Sequence, residues 1–307
     1  MKNMVIGQSN IESSNIALGC MRMAGLTVEK AKEVIETALE VGINFFDHAD
    51  IYGAGASELI FAKALKLVDV KREDIIIQSK VGIRSAQKTF DFSYEYIIES
   101  VEGVLERLDT DYLDILLLHR PDTLMEPEEV ARAFKELFDA GKVKYFGVSN
   151  FNPYQVDLLQ QALPFKLVAN QIQFSLMHSY ITSEGIYVNM NHELSSAHTQ
   201  GVLEYSRLKN ITLQAWSPYQ YGFFEGSFID NDNFPVLNER LQEIADKYNS
   251  SKEAIATAWI LRHPANIQVI AGTMTPERIR KIASGSSIYL TREEWYSLYA
   301  SAGVILP

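Results

Sequence analysis

A single (β/α)8 barrel, the TIM-barrel architecture, is the fold this sequence predicts, and three observations predict it. Short apolar runs alternate with amphipathic stretches from about residue 16 to about residue 290. The alternation repeats eight times without a linker or a break in composition, so residues 1–307 are expected to form one domain. The runs themselves are short, β-branched and nearly all apolar, which suits parallel strands covered on both faces. A doubly wound open sheet is the competing architecture. It would announce a glycine-rich first turn, and "LGCMRMAG" is not G-x-G-x-x-G.

The first strand candidate is "IALG" (16–19), followed by a helix whose Val28, Ala31, Val34, Ile35, Ala38 and Leu39 share one face. "GINFFD" (42–47) and "DIIIQSK" (74–80) are the second and third strands. In "SYEYIIESVEGVLERLD" the residues Ile97, Ile98, Val101, Val104, Leu105 and Leu108 again make one helical stripe. Strands four and five are "YLDILLLH" (112–119) and "KVKYFGVS" (142–149), after which Asn152-Pro153 sets a cap before a proline at the first helical position. "LVANQIQ" (167–173), "ITLQAW" (211–216) and "IQVIAG" (267–272) complete the strands. Thr275-Pro276 opens another helix, while Ser250 with Glu253 and Thr291 with Glu294 read as capping boxes. Two long insertions, about residues 174–198 and 217–234, follow strands six and seven. Loops after strands build the active site of such barrels, so these extended loops at the C-terminal face are candidate pocket walls.

Composition narrows the function classes. With 47% hydrophobic and 22% charged residues the chain is an ordinary soluble globular protein. A net charge of -11 argues against a nucleic-acid partner, which needs clustered cations. Cys20 is the only cysteine, so no intrachain disulfide is available; it is expected to be a small packed residue. "MKNMVIGQSNIESS" lacks a signal-peptide core, and no apolar run approaches the roughly 20 residues needed to span a bilayer. The expectation is a cytoplasmic protein with no membrane association. A closed barrel needs no partner strand, so a monomer is expected, with a homo-oligomer still compatible.

The polar residues sit at the strand ends. Asp47 ends strand two, with Tyr52 in the following loop, and Lys80 and His119 end strands three and four. Ser149-Asn150, Gln171, Trp216-Ser217 and Gly272-Thr273 stand at the remaining tips. In a barrel all of them ring one mouth. Tyrosine in water has a pKa near 10, and a lysine cation beside it favours the phenolate. A pocket lysine stays charged if a carboxylate such as Asp47 holds it. These three make a tuned general acid, and His119 can orient a carbonyl oxygen by hydrogen bonding. No side chain here is an evident nucleophile for the carbonyl carbon, so a hydride-donating cofactor is the natural supplier, and no metal site is expected. Alone, each residue has an ordinary packing or capping role; their joint placement is what points to chemistry.

"DHADIYG", "IIIQSKVGI", "LDILLLHRPD", "GKVKYFGVSNF", "NQIQFS", "QAWSPY" and "IAGTMTPERI" occur in that order. In these pieces the chain resembles an aldo-keto reductase over essentially its whole length. The resemblance implies reduction of aldehydes or ketones by NADPH, with NADH as the other option. It matches Asp47, Tyr52, Lys80 and His119 to the catalytic tetrad, Tyr52 being the proton donor. Ser149, Asn150 and Gln171 correspond to groups that hold the nicotinamide carboxamide, and Trp216 to the ring on which nicotinamide stacks. Ser217, Pro218 and Tyr219 would line the pyrophosphate path. Gly272, Thr273 and Arg278 would border the 2'-phosphate of NADP at the start of a helix, itself a ready anion site.

The chain departs from the family at several positions. Gly272 stands where many relatives have a lysine, removing one phosphate-binding cation. Lys281 and Ile282 fall where relatives often carry Glu and Asn facing the adenine, and Arg120 where many have tryptophan. Phe223, Phe224, Phe228, Tyr180 and Tyr187 in the insertions suggest an aromatic-lined pocket. His48 and Asp50 are expected to make supporting hydrogen bonds. Rival readings are a metal hydrolase using His48, Asp50 and His119, a Schiff-base lyase using Lys80, and a cofactor-binding regulatory subunit. "GVSNF" lacks the last glycine of a nucleophile elbow, and in "NHELSSAH" the histidines His192 and His198, with Glu193 between them, are spaced wrongly for zinc.

Overall fold

A computed structural model describes residues 1–191 and 198–306. Eight parallel strands close into a barrel in chain order: β1 (Ile16–Gly19), β2 (Phe45–Asp47), β3 (Ile76–Val81), β4 (Leu113–Leu118), β5 (Val143–Ser149), β6 (Leu167–Gln173), β7 (Thr212–Trp216) and β8 (Gln268–Ala271). β8 closes on β1 through Val269–Ile16 and Ala271–Leu18 pairing. Helices cover the outside: α1 (Val28–Glu40), α2 (Ala56–Leu65), α3 (Tyr94–Leu108), α4 (Pro127–Asp139), α5 (Pro153–Ala162), α6 (Tyr180–Ile186), α7 (Val202–Lys209), α8 (Pro235–Lys247), α9 (Lys252–Leu261), α10 (Pro276–Ser284) and α11 (Arg292–Ser301). No helix among the described residues is long and apolar enough to cross a membrane.

The alternation of side chains along each strand sorts the core into two layers. Phe46, Ile77, Leu116, Leu118 and Val269 face the helices, where they meet the stripes Ala31, Val34, Ile35, Ala38 and Ile97, Val101, Val104, Leu108. Phe45, Ile76, Ile115, Leu117 and Ile270 face the barrel axis. Continuing inward every second residue from that lower layer reaches Asp47, Gln78 and Lys80, His119 and Gly272. The same pleat that fills the barrel floor therefore delivers the polar tips to the mouth.

The sequence had assigned no element to the N-terminus. Asn3–Val5 and Glu12–Ser14 pair as an antiparallel hairpin, and Met4 and Ile6 plug the apolar floor. Its chain passes so close to β6 that a Cβ on Gly7, at φ +50°, would lie 2.2 Å from the Val168 carbonyl oxygen. Only glycine fits there.

Caps are mostly as expected. Asn152 with Gln155 and Thr291 with Glu294 form complete capping boxes. The box placed on Ser250 is off by one: Ser251 caps α9, accepting from the Ala254 N–H at 3.2 Å. Ser250 instead faces Ser284. Thr275 precedes α10 without a side-chain cap; Thr273 Oγ1 accepts its N–H at 3.2 Å. The insertion after β6 carries α6, and that after β7 carries a small hairpin, Gln220–Tyr221 with Gly226–Ser227. A third loop, unforeseen, follows β3 as the hairpin Ile83–Arg84 with Thr89–Phe90.

Candidate active site

The mouth of the barrel opens into a cavity of about 1120 Å³. Asp47, Tyr52, His119, Ser149, Asn150, Gln171, Trp216, Ser217, Pro218, Tyr219, Gly272, Thr273 and Arg278 all line it. Lys80 lies just beneath, reached through Tyr52.

Lys80 and Asp47 are 0% and 1% exposed, so neither charge has water to solvate it. They solve this mutually. The Lys80 ammonium donates to Asp47 Oδ1 at 2.8 Å, to Oδ2 at 2.7 Å and to the His48 carbonyl at 2.8 Å. It also lies 3.3 Å from the Tyr52 hydroxyl. Burial works against the lysine charge, but Asp47 and Tyr52 outweigh it and its pKa is raised.

Tyr52 opens a tight turn after β2, its N–H bonded to the Ala49 carbonyl at 3.0 Å. Its ring stands nearly perpendicular to that of His119, 6.0 Å between centroids. The sequence predicted a phenol made more acidic by Lys80. Instead, burial raises its pKa, the lysine lowers it, Asp47 raises it again, and the net shift is upward. The balance thus favours the neutral phenol over the phenolate. His119 is shifted well below its usual value by burial, then by Lys80 and Arg120, so it is neutral at pH 7. Its Nδ1 is enclosed without a partner.

Asp47 is also held from the barrel interior. Gln78 Nε2 donates to its Oδ1 at 2.6 Å and Gln171 Nε2 at 3.0 Å. Both amides also reach Gln214 Oε1, and Gln214 Nε2 passes on to Gln268 Oε1 at 2.8 Å. This buried glutamine ladder was missed. Its signal was a glutamine at an inward position of each of four largely apolar strands: Gln78, Gln171, Gln214 and Gln268. Gln171, expected to serve a ligand, spends its amide nitrogen on Asp47 and Gln214.

The other tips support one another. Ser149 donates to the Gln171 carbonyl at 2.9 Å, and Asn150 Nδ2 to Ser149 Oγ at 2.9 Å. Trp216 Nε1 donates to Asn150 Oδ1 at 3.1 Å, which fixes the indole. Phe224 stacks against that indole at 5.8 Å between centroids. Ser217 donates to Gln220 Oε1, and the buried Tyr219 phenol meets Thr257 Oγ1 at 2.7 Å. Beside Gly272 the structure places a cation that the sequence did not reveal. Arg22, in the loop after β1, donates to the Gly272 carbonyl at 2.9 Å and lines the same cavity as Arg278. A side chain on Gly272 would meet that guanidinium at 3.1 Å, so the glycine makes room for it.

Several expectations are corrected. Ile282 is fully buried and Lys281 pairs with Glu277 at 2.9 Å, so neither faces the cavity. Phe223 and Phe224 line the cavity, but Phe228 and Tyr187 are core residues. His48 makes no supporting side-chain bond: both ring nitrogens are buried without a partner, its ring packs against Phe61, and burial, then Lys80, lowers its pKa to about 3. Only its carbonyl serves Lys80. Asp50 Oδ1 is likewise unpartnered, and burial and then Glu58 raise Asp50 to about 7. Cys20 is fully buried, and burial raises its thiol pKa, as a packed residue should be. His192 and Glu193 lie outside the described residues.

A sequence profile of the Aldo/keto reductase family matches residues 15–301. The chain belongs to the aldo/keto reductase family. Among its relatives within that family is "Oxidoreductase YdhF" of Escherichia coli (strain K12), 34% identical over 311 residues that cover 98% of both chains. "6-dehydroglucose reductase" of Agrobacterium fabrum is 36% identical over 304 residues, 95% of both. Among solved structures, the thermostable aldo-keto reductase Tm1743, determined with the inhibitor epalrestat, superposes with a TM-score of 0.79 at 26% identity. That comparison covers 98% of this aldo/keto reductase and 100% of Tm1743.

Proposed function

We propose that this aldo/keto reductase reduces an aldehyde or ketone to the alcohol with NADPH, Tyr52 supplying the proton. The observation that carries the reading is the Lys80 ammonium held 3.3 Å from the Tyr52 hydroxyl, at the edge of a cavity shared with His119. A substrate oxygen placed between Tyr52 and His119 would take a hydrogen bond from neutral His119 and the proton of Tyr52. The phenolate left behind would face Lys80, whose charge Asp47 maintains. Reduced nicotinamide, bound in the same cavity, would supply the hydride to carbon.

The lining residues fit such a group. The Gln171 side-chain oxygen has no protein donor among the described residues and is free to accept from a carboxamide. Trp216, fixed by Asn150, presents an indole at the cavity wall, the kind of aromatic surface on which a nicotinamide ring can pack. Ser149 and Asn150 position that end, while Ser217, Pro218 and Tyr219 wall the path toward β8. There the open N-terminus of α10, Thr273, Arg278 and Arg22 form a cationic end suited to the phosphates, including a 2'-phosphate.

The test is carbonyl-dependent loss of NADPH absorbance across a panel of aldehydes, ketones and quinones, followed by a pH profile on an active substrate. His119 is already neutral at pH 7 and Tyr52 is raised, so reductive kcat should be level through neutral pH. It should fall only on the alkaline side, as Tyr52 loses its proton. Tight NADPH binding without turnover on any carbonyl would replace this reading with that of a cofactor-binding subunit. A loss of rate centred near pH 6.5 would implicate a protonating histidine instead.

Cofactor choice has its own measurement. Arg278→Ala and Arg22→Ala should each weaken NADPH binding by about tenfold, the scale of one lost charge-assisted hydrogen bond. For Arg278 the loss should be much smaller with NADH, which lacks the 2'-phosphate. Fluorescence titration giving equal losses for both cofactors would take Arg278 away from that phosphate.

A further inference from the structure

Arg120 follows His119 at the end of β4. It is half-buried, and its guanidinium carbon lies 6.0 Å from the Trp216 ring centre and 5.6 Å from that of Phe223. It makes neither a hydrogen bond nor an ion pair among the described residues. This is unlike the other partly buried arginines. Arg72 meets Asp114 at 2.8 Å and Arg107 meets Glu58 at 2.6 Å. The nearby acid in sequence, Asp122, is already occupied by the backbone N–H groups of Phe92 and Leu124. Burial lowers the Arg120 pKa, the mark of a cation deprived of water without a compensating anion.

Its position separates it from the cofactor phosphates. In the closed ring β4 stands opposite β8, and β8 carries the Gly272 end where Arg22 and Arg278 gather. Beside Arg120 lies a second cavity of about 240 Å³, which borders the main one through Arg120, Asn150, Trp216 and Phe223. His178, Tyr180, His198 and Thr199 face it from the loop after β6. Burial lowers His178 to about 4, so that residue brings no charge at neutral pH. The acids lining the main cavity do not compete for Arg120. Asp47 is bound to Lys80, Asp230 to Lys252, and Glu253 lies toward α10.

We propose that Arg120 is a specificity-determining residue that seats an oxyanion, carboxylate or phosphate, carried by the carbonyl substrate at the junction of the two cavities. A planar guanidinium held over aromatic faces is pre-organised for such a group, and a desolvated cation gains most from an anion that arrives with the ligand. The inference rests on the carbonyl-reductase reading above and narrows it to anionic aldehydes or ketones.

The experiment compares kcat/KM, with NADPH, for 4-carboxybenzaldehyde against its methyl ester and for glyceraldehyde 3-phosphate against glyceraldehyde. In the wild-type protein at least one anionic member should be favoured by about tenfold or more, and which pair shows it identifies the anion. Arg120→Met should bring that ratio close to one, chiefly through KM for the anionic member. Arg120→Lys, which keeps the charge without the fork, should fall between. Ratios near one for both pairs in the wild type would overturn the proposal, as would a preference that survives in Arg120→Met. Reduction of neutral and anionic members alike leaves the reductase reading standing and removes only Arg120's role. No NADPH oxidation with any of the four, beside turnover of another carbonyl of the wider panel, would overturn this inference alone; no turnover on any carbonyl removes the reductase reading and this inference with it.

Discussion

Tyr52→Phe should lower reductive kcat by about two to four orders of magnitude, the range spanned by a positioned general acid. The change removes one oxygen. The ring, its perpendicular packing with His119 and its turn after β2 are retained, so the cavity keeps its shape. NADPH affinity should therefore stay within about twofold, since no phosphate or carboxamide partner is altered. The loss should appear in kcat and kcat/KM together, because proton transfer occurs only on the way to the transition state. Steady-state kinetics beside a fluorescence titration of NADPH check both halves. Near-normal turnover would show that the proton comes from elsewhere.

Lys80→Met should act on stability and on activity by separable routes. Removing the ammonium leaves Asp47 buried with only amide donors, and a broken buried pair typically costs about 3–5 kcal/mol. Urea unfolding should show that loss as a lower midpoint. Turnover should fall as well, because the phenolate of Tyr52 then has no cation to receive it. The double variant Asp47→Asn with Lys80→Met removes the stranded charge. Gln78 and Gln171 can still donate to the asparagine oxygen, so stability should largely return. Activity should not. A single variant as stable as the wild type would mean that Lys80 does not hold the Asp47 charge; a double variant that regained turnover would separate the lysine from the chemistry.

The barrel was legible because its signals are local and periodic. Strands such as "IALG" and "LVANQIQ" appear at the same residues in the structure, and the α1 and α3 stripes bury as their spacing requires. Where signals were weak or contested the sequence misplaced them. Adjacent serines at 250 and 251 offer the same hydroxyl, and only the backbone entering α9 selects Ser251. The N-terminal hairpin was unread because two three-residue strands carry no periodicity worth counting.

The site divides along the same line. The sequence by itself determined which residues stand at the strand tips, because period-two alternation and strand ends are properties of neighbouring residues. That was enough to place Asp47, Tyr52, Lys80 and His119 at one opening. Only the tertiary structure decided the balance of forces there. Burial outweighs Lys80 in setting the Tyr52 pKa, and four glutamines from separate strands converge beneath Asp47. Arg22 enters beside Gly272 across a strand boundary, and Arg120 lies over Trp216 and Phe223 without a carboxylate. Desolvation and contacts between distant segments depend on what else occupies the surrounding space, and that is fixed only when the barrel closes.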